Sequence, residues 1–234
     1  MRKQQFYMIP SSDIESILFS GSVDKDQLAD LMSDYNDVFS FINYGDFGEI
    51  HWLNTSGPIY TTYTDNCGTG QVEAVNNVGG DEDYHEVIFR QPITKKELIE
   101  TLSAAMFDPF GSYYFDGNEN WNNKNIAVWW NKSEERVNYI IDRYKEELNL
   151  PDKPHVTSWK IGDEVFTGQL YGPPRPIPEN YKYWLDFYQF KMKIYLEWYI
   201  FKICGQTTIL LTFDFDWTKR EELDKLFNSK ILTA

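Results

Sequence analysis

Apolar positions along this chain change their period several times, and each change marks an element. Residues 4–9 read as a strand stopped by Pro10. Ser12-Asp-Ile-Glu15 has the form of a capping box and predicts a short helix over 13–19. Leu28, Leu31, Met32 and Tyr35 then recur at helical spacing, which predicts a helix with one buried stripe. Residues 37–43, 49–54, 58–64 and 84–90 read as strands, separated by a loop at 44–48 and a Gly/Asn/Asp-rich loop over 65–83. Thr94-Lys-Lys-Glu97 repeats the capping pattern. Residues 133–148 carry Val137, Ile140, Ile141, Tyr144 and Leu148 on one helical face. A hairpin is expected over 155–170, turning at Gly162-Asp163.

Two stretches resemble earlier ones. SYYFDGN (112–118) parallels SFINYGD (40–46), and NIAVWWNKS (125–133) parallels EIHWLNTS (49–56). Together with the repeated boxes they suggest two tandem strand–helix–strand–strand units, over 5–56 and 87–133. The Pro-rich segment 172–180 reads as a stiff linker. Between 181 and 204 both periods fit. Tyr183, Phe187, Phe190, Ile194 and Trp198 make a helical stripe, while Tyr188, Phe190, Met192, Ile194, Leu196, Trp198 and Ile200 alternate. The unbroken alternation, followed by Ile209, Leu211, Phe213 and Phe215, favours an aromatic hairpin turning at Cys204-Gly205. Thr218-Lys-Arg-Glu221 opens a C-terminal helix. The expected fold class is α+β: antiparallel sheet with helices packed on one face. Residues 1–171 form the main domain, and 172–234 belong to the same domain.

Aromatic residues make up 17% of the 234 residues, enough to build a sheet-rich core and leave some rings exposed. Two cysteines exclude a disulfide framework. The N-terminal residues have no apolar signal-like run, and charges interrupt the longest apolar stretch. These features predict a soluble cytoplasmic protein.

Net charge sharpens the picture. It is −14 for the whole chain, and residues 11–89, with fifteen Asp and Glu against Lys25 alone, account for all of it. Regional acidity argues for a cationic partner and against nucleic acid. Asp26, Asp30 and Asp34 fall four apart on the predicted helix, with Asp37 just beyond, although like charges at that spacing cost a helix about 0.2–0.5 kcal/mol per pair. Asp46, Glu49 and the Asp81-Glu-Asp83 run extend the acidic set.

Other residues offer weaker chemistry. Asp81–Glu86 surrounds His85 with carboxylates, a metal-like composition whose side chains strand alternation would split between two faces. Asp116, Asn118 and Asn120 begin like a calcium loop, but Trp121 and Ala127 stand where glycine and an acid are required. Cys67 lies in a Gly-rich loop with no histidine placed beside it by sequence, although His51 or His85 would be the base. Asp214 and Asp216 would share a strand face, and His155 reads as a loop residue. Trp129-Trp130 reads as one core ring and one exposed ring. These readings lead to a non-enzymatic acidic binding protein that neutralises a basic protein, as immunity proteins neutralise toxins. That likeness is one of character, not of motif. The expected contact residues are Asp26, Asp30, Asp34, Asp37, Asp46, Glu49, Asp81, Glu82 and Asp83, with no cofactor, nucleic acid or membrane. The alternatives are a metal-dependent hydrolase or transferase using carboxylates at 81–86 or 214–216, and an oligomeric scaffold.

Overall fold

Side-chain amides take over part of the work of a sheet in this protein. The computed structural model describes residues 9–32, 45, 47–149, 156–161, 164–169, 178–205 and 211–231. Helices α1 (Ser12–Leu18) and α2 (Lys25–Leu31) precede a 3₁₀ turn at Phe47–Glu49. Then come β1 (Tyr60–Thr61), α3 (Thr69–Glu73), β2 (Val78–Gly80), β3 (Glu86–Ile88), α4 (Lys95–Phe107) and β4 (Tyr113–Tyr114). Helices α5 (Gly117–Asn120), α6 (Asn123–Asn131) and α7 (Ser133–Asn149) follow. The chain continues with strands β5 (Val156–Ile161) and β6 (Glu164–Gln169), and then with α8 (Pro178–Phe190), α9 (Met192–Cys204) and α10 (Thr218–Ile231). The fold class is α+β, with short antiparallel pairs β1–β4, β2–β3 and β5–β6.

Several expected elements are present. The α7 stripe Val137, Ile140, Ile141, Tyr144 and Leu148 is buried throughout. Ile161 pairs with Glu164, so the β5–β6 hairpin closes across residues 162–163. Thr94 caps α4 by accepting from the Glu97 N–H at 3.2 Å, and the Glu97 carboxylate accepts from Ile93 N–H at 2.9 Å. At α1 the N-cap is Ser11, with no side-chain cap bond, and the helix starts one residue earlier than expected. Residues 4–8 and 37–43 lie outside the described residues.

Other expectations are corrected. Residues 49–54 are not a strand. Asn54 donates to the carbonyls of His51 and Thr61 and accepts from the N–H groups of Thr61 and Ile88. Gln91 likewise bonds Ile59 N–H and the carbonyls of Thr55 and Ile59. These two amides satisfy the backbone that a sheet ladder would otherwise serve. The expected loop at 65–83 contains α3 and β2, and the stretch 125–133, matched to 49–56, lies in helix α6, opened by an Asn122/Asn125 capping box, and the first residue of α7. Residues 49–56 and 125–133, matched in the tandem reading, therefore differ in structure, and residues 40–44 and 46 lie outside the described residues. Trp129 and Trp130 are both buried and donate to the carbonyls of Asn54 and Thr212.

The aromatic hairpin is instead the helix pair α8 and α9. Tyr188, Met192, Leu196 and Ile200 are buried, whereas Phe190 and Ile194 are exposed. A spacing of four fits a helix face and also counts as every second step of an alternation, so the alternating series had sampled both faces of a helix. Gly205, at φ +64, ends α9 as a left-handed C-cap instead of turning a hairpin. Residues 211–217 adopt no regular structure. Trp184 stacks on Phe89 and Tyr181 at the centre of the core, above Gly79, where a Cβ would meet its ring at 2.6 Å. Among the described residues, no helix is long and apolar enough to cross a membrane.

Candidate functional site

The β2–β3 turn is built around Asp81. One carboxylate oxygen accepts from the N–H groups of Asp83 (2.9 Å) and His85 (2.8 Å), and the other meets His51 Nε2 at 3.1 Å. His51 Nδ1 accepts from Leu53 N–H, so the ring proton sits on Nε2 and points at Asp81. Burial alone would push the Asp81 carboxyl up, but the bonds from His51 and His85 and the nearby imidazoles outweigh it and hold the group below its ordinary range. Tyr84 is forced to φ +69, a left-handed conformation uncommon for a side chain of its size.

Neighbouring loops are fastened in the same way. Glu82 accepts from the Tyr139 hydroxyl, which in turn accepts from Glu82 N–H at 2.9 Å. Burial, and then the Glu82 carboxylate, push the Tyr139 phenol well up. Trp52 packs edge-on against Tyr139 at 5.3 Å. His85 Nδ1 donates to the Thr64 carbonyl at 2.8 Å. Asp108 accepts from the N–H groups of Asp65, Phe110 and Ser112, and Ser112 Oγ donates to the Tyr63 carbonyl. Tyr63 stands edge-on to both His51 and His85 and is 66% exposed, and Phe110 is 70% exposed.

Glu86 lies beneath these loops and is buried. Its carboxyl meets Gly70 N–H at 2.5 Å and the Tyr113 hydroxyl at 2.6 Å, and a Cβ at Gly70 would strike it at 2.4 Å. Burial raises its pKa to about 7, against the pull of those two bonds and helped by the carboxylates of Asp65 and Asp108. The Thr64 hydroxyl accepts from Glu86 N–H, and the Thr61 hydroxyl donates to its carbonyl.

The exposed groups on these loops are linked in part: Tyr63 meets His51 and His85, and Trp52 meets Tyr139, which bonds Glu82. Exposed rings of Trp52, Tyr63 and Phe110 stand with the exposed carboxylates of Glu82 and Asp83 on loops fixed from below by Asp81, Asp108 and Glu86. Of the expected contact residues, the structure brings Asp81, Glu82 and Asp83 together here, and Asp81 is a buried anchor with no free carboxylate face. Asp26 and Asp30 are exposed on α2, and Glu49 is exposed in the 3₁₀ turn; none belongs to this hydrogen-bond network. Asp34, Asp37, Asp46 and His155 lie outside the described residues. Sequence reasoning missed Trp52, Tyr63, Phe110 and the anchor Asp108. A polar residue followed by an aromatic in His51-Trp52 and Thr62-Tyr63 was the available signal.

The other candidates have structural duties. Asp216 caps α10, accepting from Thr218 N–H and Oγ, and those bonds hold its carboxyl low. Asn118 and Asn120 donate to backbone carbonyls. Cys67 is exposed, and the hydrogen bond and charge of Asp65 push its thiol up, the reverse of an activated nucleophile. Among the described residues, no group of three His, Cys, Asp or Glu side chains could hold a metal ion. No family model, curated protein or solved structure matches the chain.

Proposed function

We propose that this protein binds and neutralises a cationic protein through the ring-and-carboxylate surface of Trp52, Tyr63, Glu82, Asp83 and Phe110, as an immunity-type inhibitor does in a cytoplasmic setting. One observation carries the reading: the loops that display these groups are tied down by buried carboxylates. Loops held in place lose little entropy on docking. Aromatic faces offer Lys and Arg a cation–π contact, and the carboxylates steer a basic surface and form charged hydrogen bonds with it. The regional charge of −14 over residues 11–89 extends that attraction beyond the contact itself. The surface replaces the α2 row as the centre of the interface and keeps the acidic chemistry.

The test is a pull-down from native lysate at low and high salt, comparing the wild type with a Tyr63→Ala/Glu82→Gln/Asp83→Asn variant. The expected result is one basic protein, released by salt and lost from the variant. Retention by the variant, or capture of no basic protein, refutes the reading.

A further inference from the structure

Helix α9 buries Met192, Tyr195, Leu196, Tyr199 and Ile200, so its core face is complete. Its outer face is not polar. At about 100° per residue, Ile194 and Phe201 lie nearly in line on α9, and Phe190, the last residue of α8, stands across Lys191 from its start. These side chains are 41%, 51% and 60% exposed. The Arg220 guanidinium holds the Phe190 ring from beneath, 5.7 Å from its centre. Half-buried Trp198 borders one side of the line, and Lys193 and Glu197 border the other. Lys193 and Glu197 pair with each other at 3.9 Å, the outer limit of an ion pair, and both side chains remain about half exposed.

Two features select a second copy of this chain as the occupant. Gaps of four and seven residues are the period at which helices pair lengthwise. The border charges are also self-complementary in one orientation only. In an antiparallel pair with Phe190 of one copy facing Phe201 of the other, Lys193 of each copy comes within one residue of level with Glu197 of the other. Flanks of the same side face each other in that arrangement, and symmetry forms the contact twice. A parallel pair would instead turn the Lys193–Glu197 flank of each copy towards the Trp198 flank of the other and form no such contact.

We propose that the outer face of α9 is a homodimer interface, antiparallel about a two-fold axis level with Tyr195 and Leu196, sealed by Phe190, Ile194 and Phe201 and oriented by Lys193 and Glu197. Two Phe side chains, each only about half exposed, and one Ile fall well short of the ~800 Å² per partner of a standard interface, so the dimer is weak and concentration-dependent. This surface is separate from the docking loops, and the proposal stands whether or not they bind a partner.

Sedimentation velocity on the full chain over a concentration series tests it, with circular dichroism to confirm that each variant folds. The wild type shifts from monomer to dimer as concentration rises. Ile194→Asp and Phe201→Asp stay monomeric. Lys193→Glu alone weakens the dimer about tenfold by setting four carboxylates together, and Lys193→Glu with Glu197→Lys restores it. A monomer at every concentration overturns the proposal, as does a dimer that both Asp variants leave intact. Failure of the exchanged pair to restore association overturns the antiparallel arrangement.

Discussion

Residues 51–91 and helices α7–α10 meet the same demand, burial of a long chain segment, with opposite materials. In the first region, Asn54, Gln91, Asp81 and Glu86 hold irregular backbone through buried hydrogen bonds. In the second, rings dominate: Trp184 on Tyr181, Tyr195 on Tyr199, Phe187 against Tyr195. Buried Arg136 is wrapped in rings, lying 3.8 Å from the Trp129 ring centre and donating to the Tyr188 hydroxyl, whereas buried Arg220 pairs with Asp186 and Asp224. Apolar packing tolerates shape-conserving change, whereas a hydrogen-bonded amide has no apolar substitute. The first region can therefore hold exposed loops in one conformation, and the second supplies bulk stability. The proposed docking surface sits on the hydrogen-bonded region.

The comparison breaks first at Asn54. Asn54→Leu takes the side-chain acceptor from the buried N–H groups of Thr61 and Ile88 and a donor from the carbonyls of His51 and Thr61, and we expect a loss of about 3–5 kcal/mol in urea unfolding. Trp184→Phe, a large change confined to packing, should cost about 1–3 kcal/mol. If the order reverses, the polar region is not the more exacting of the two.

Glu86 gives the next effect, and its sign is fixed. The folded chain keeps this carboxyl protonated up to about pH 7, while the unfolded chain releases the proton near 4.5. Its contribution is therefore greatest below pH 4.5, falls as pH rises to about 7, and is flat above that. At about 1.4 kcal/mol per pKa unit, the fall is about 3 kcal/mol. Glu86→Gln should remove this slope from the stability–pH curve while leaving the fold intact. A slope that survives the substitution assigns the titration elsewhere.

How much of this was legible beforehand depends on which forces act locally. The α7 stripe, the hairpin closing at 162–163 and the Thr94 cap were readable because each depends on neighbours within a few residues. Asn54 was not, since its partners at Thr61 and Ile88 are set by the tertiary fold, and in sequence it resembles any loop asparagine. The α9 region was misread because buried residues four apart (Tyr188, Met192, Leu196, Ile200) also fit an alternation, with exposed Phe190 and Ile194 between them. The site was half legible: Glu82 and Asp83 were expected, but not the rings beside them. Asp81 appeared as one more surface acid because its histidine partner lies thirty residues away.

Asp81→Asn should cost about 1–3 kcal/mol by losing the charged bond to His51 and loosening the 82–85 turn. The sign with pH is opposite to that of Glu86. The Asp81 carboxyl is held low, so its contribution is full above its ordinary value of 3.8 and disappears as acid protonates it. Amide exchange at 83 and 85 should rise in the variant at neutral pH. Unchanged protection there would mean that the turn does not depend on its anchor.

The smallest effect returns to the acidic helix. α2 spans only Lys25–Leu31, so its aspartates do not share one environment. Asp24 caps the helix, accepting from Gln27 N–H at 3.1 Å, and Asp26 sits in the first turn, where the helix dipole favours an anion. Asp30 is in the last turn, four residues from Asp26, where both the dipole and the like charge oppose it. Asp24→Ala should therefore destabilise by about 1 kcal/mol, while Asp30→Asn should stabilise by about 0.5 kcal/mol in thermal unfolding. The pair also bears on function. If Asp30→Asn stabilises the protein and leaves capture of a basic partner unchanged, the charge serves neither folding nor docking, and the interface is confined to the anchored loops. If it stabilises and weakens capture, α2 is a second part of the docking surface, whose cost to the helix is offset by the cation it meets.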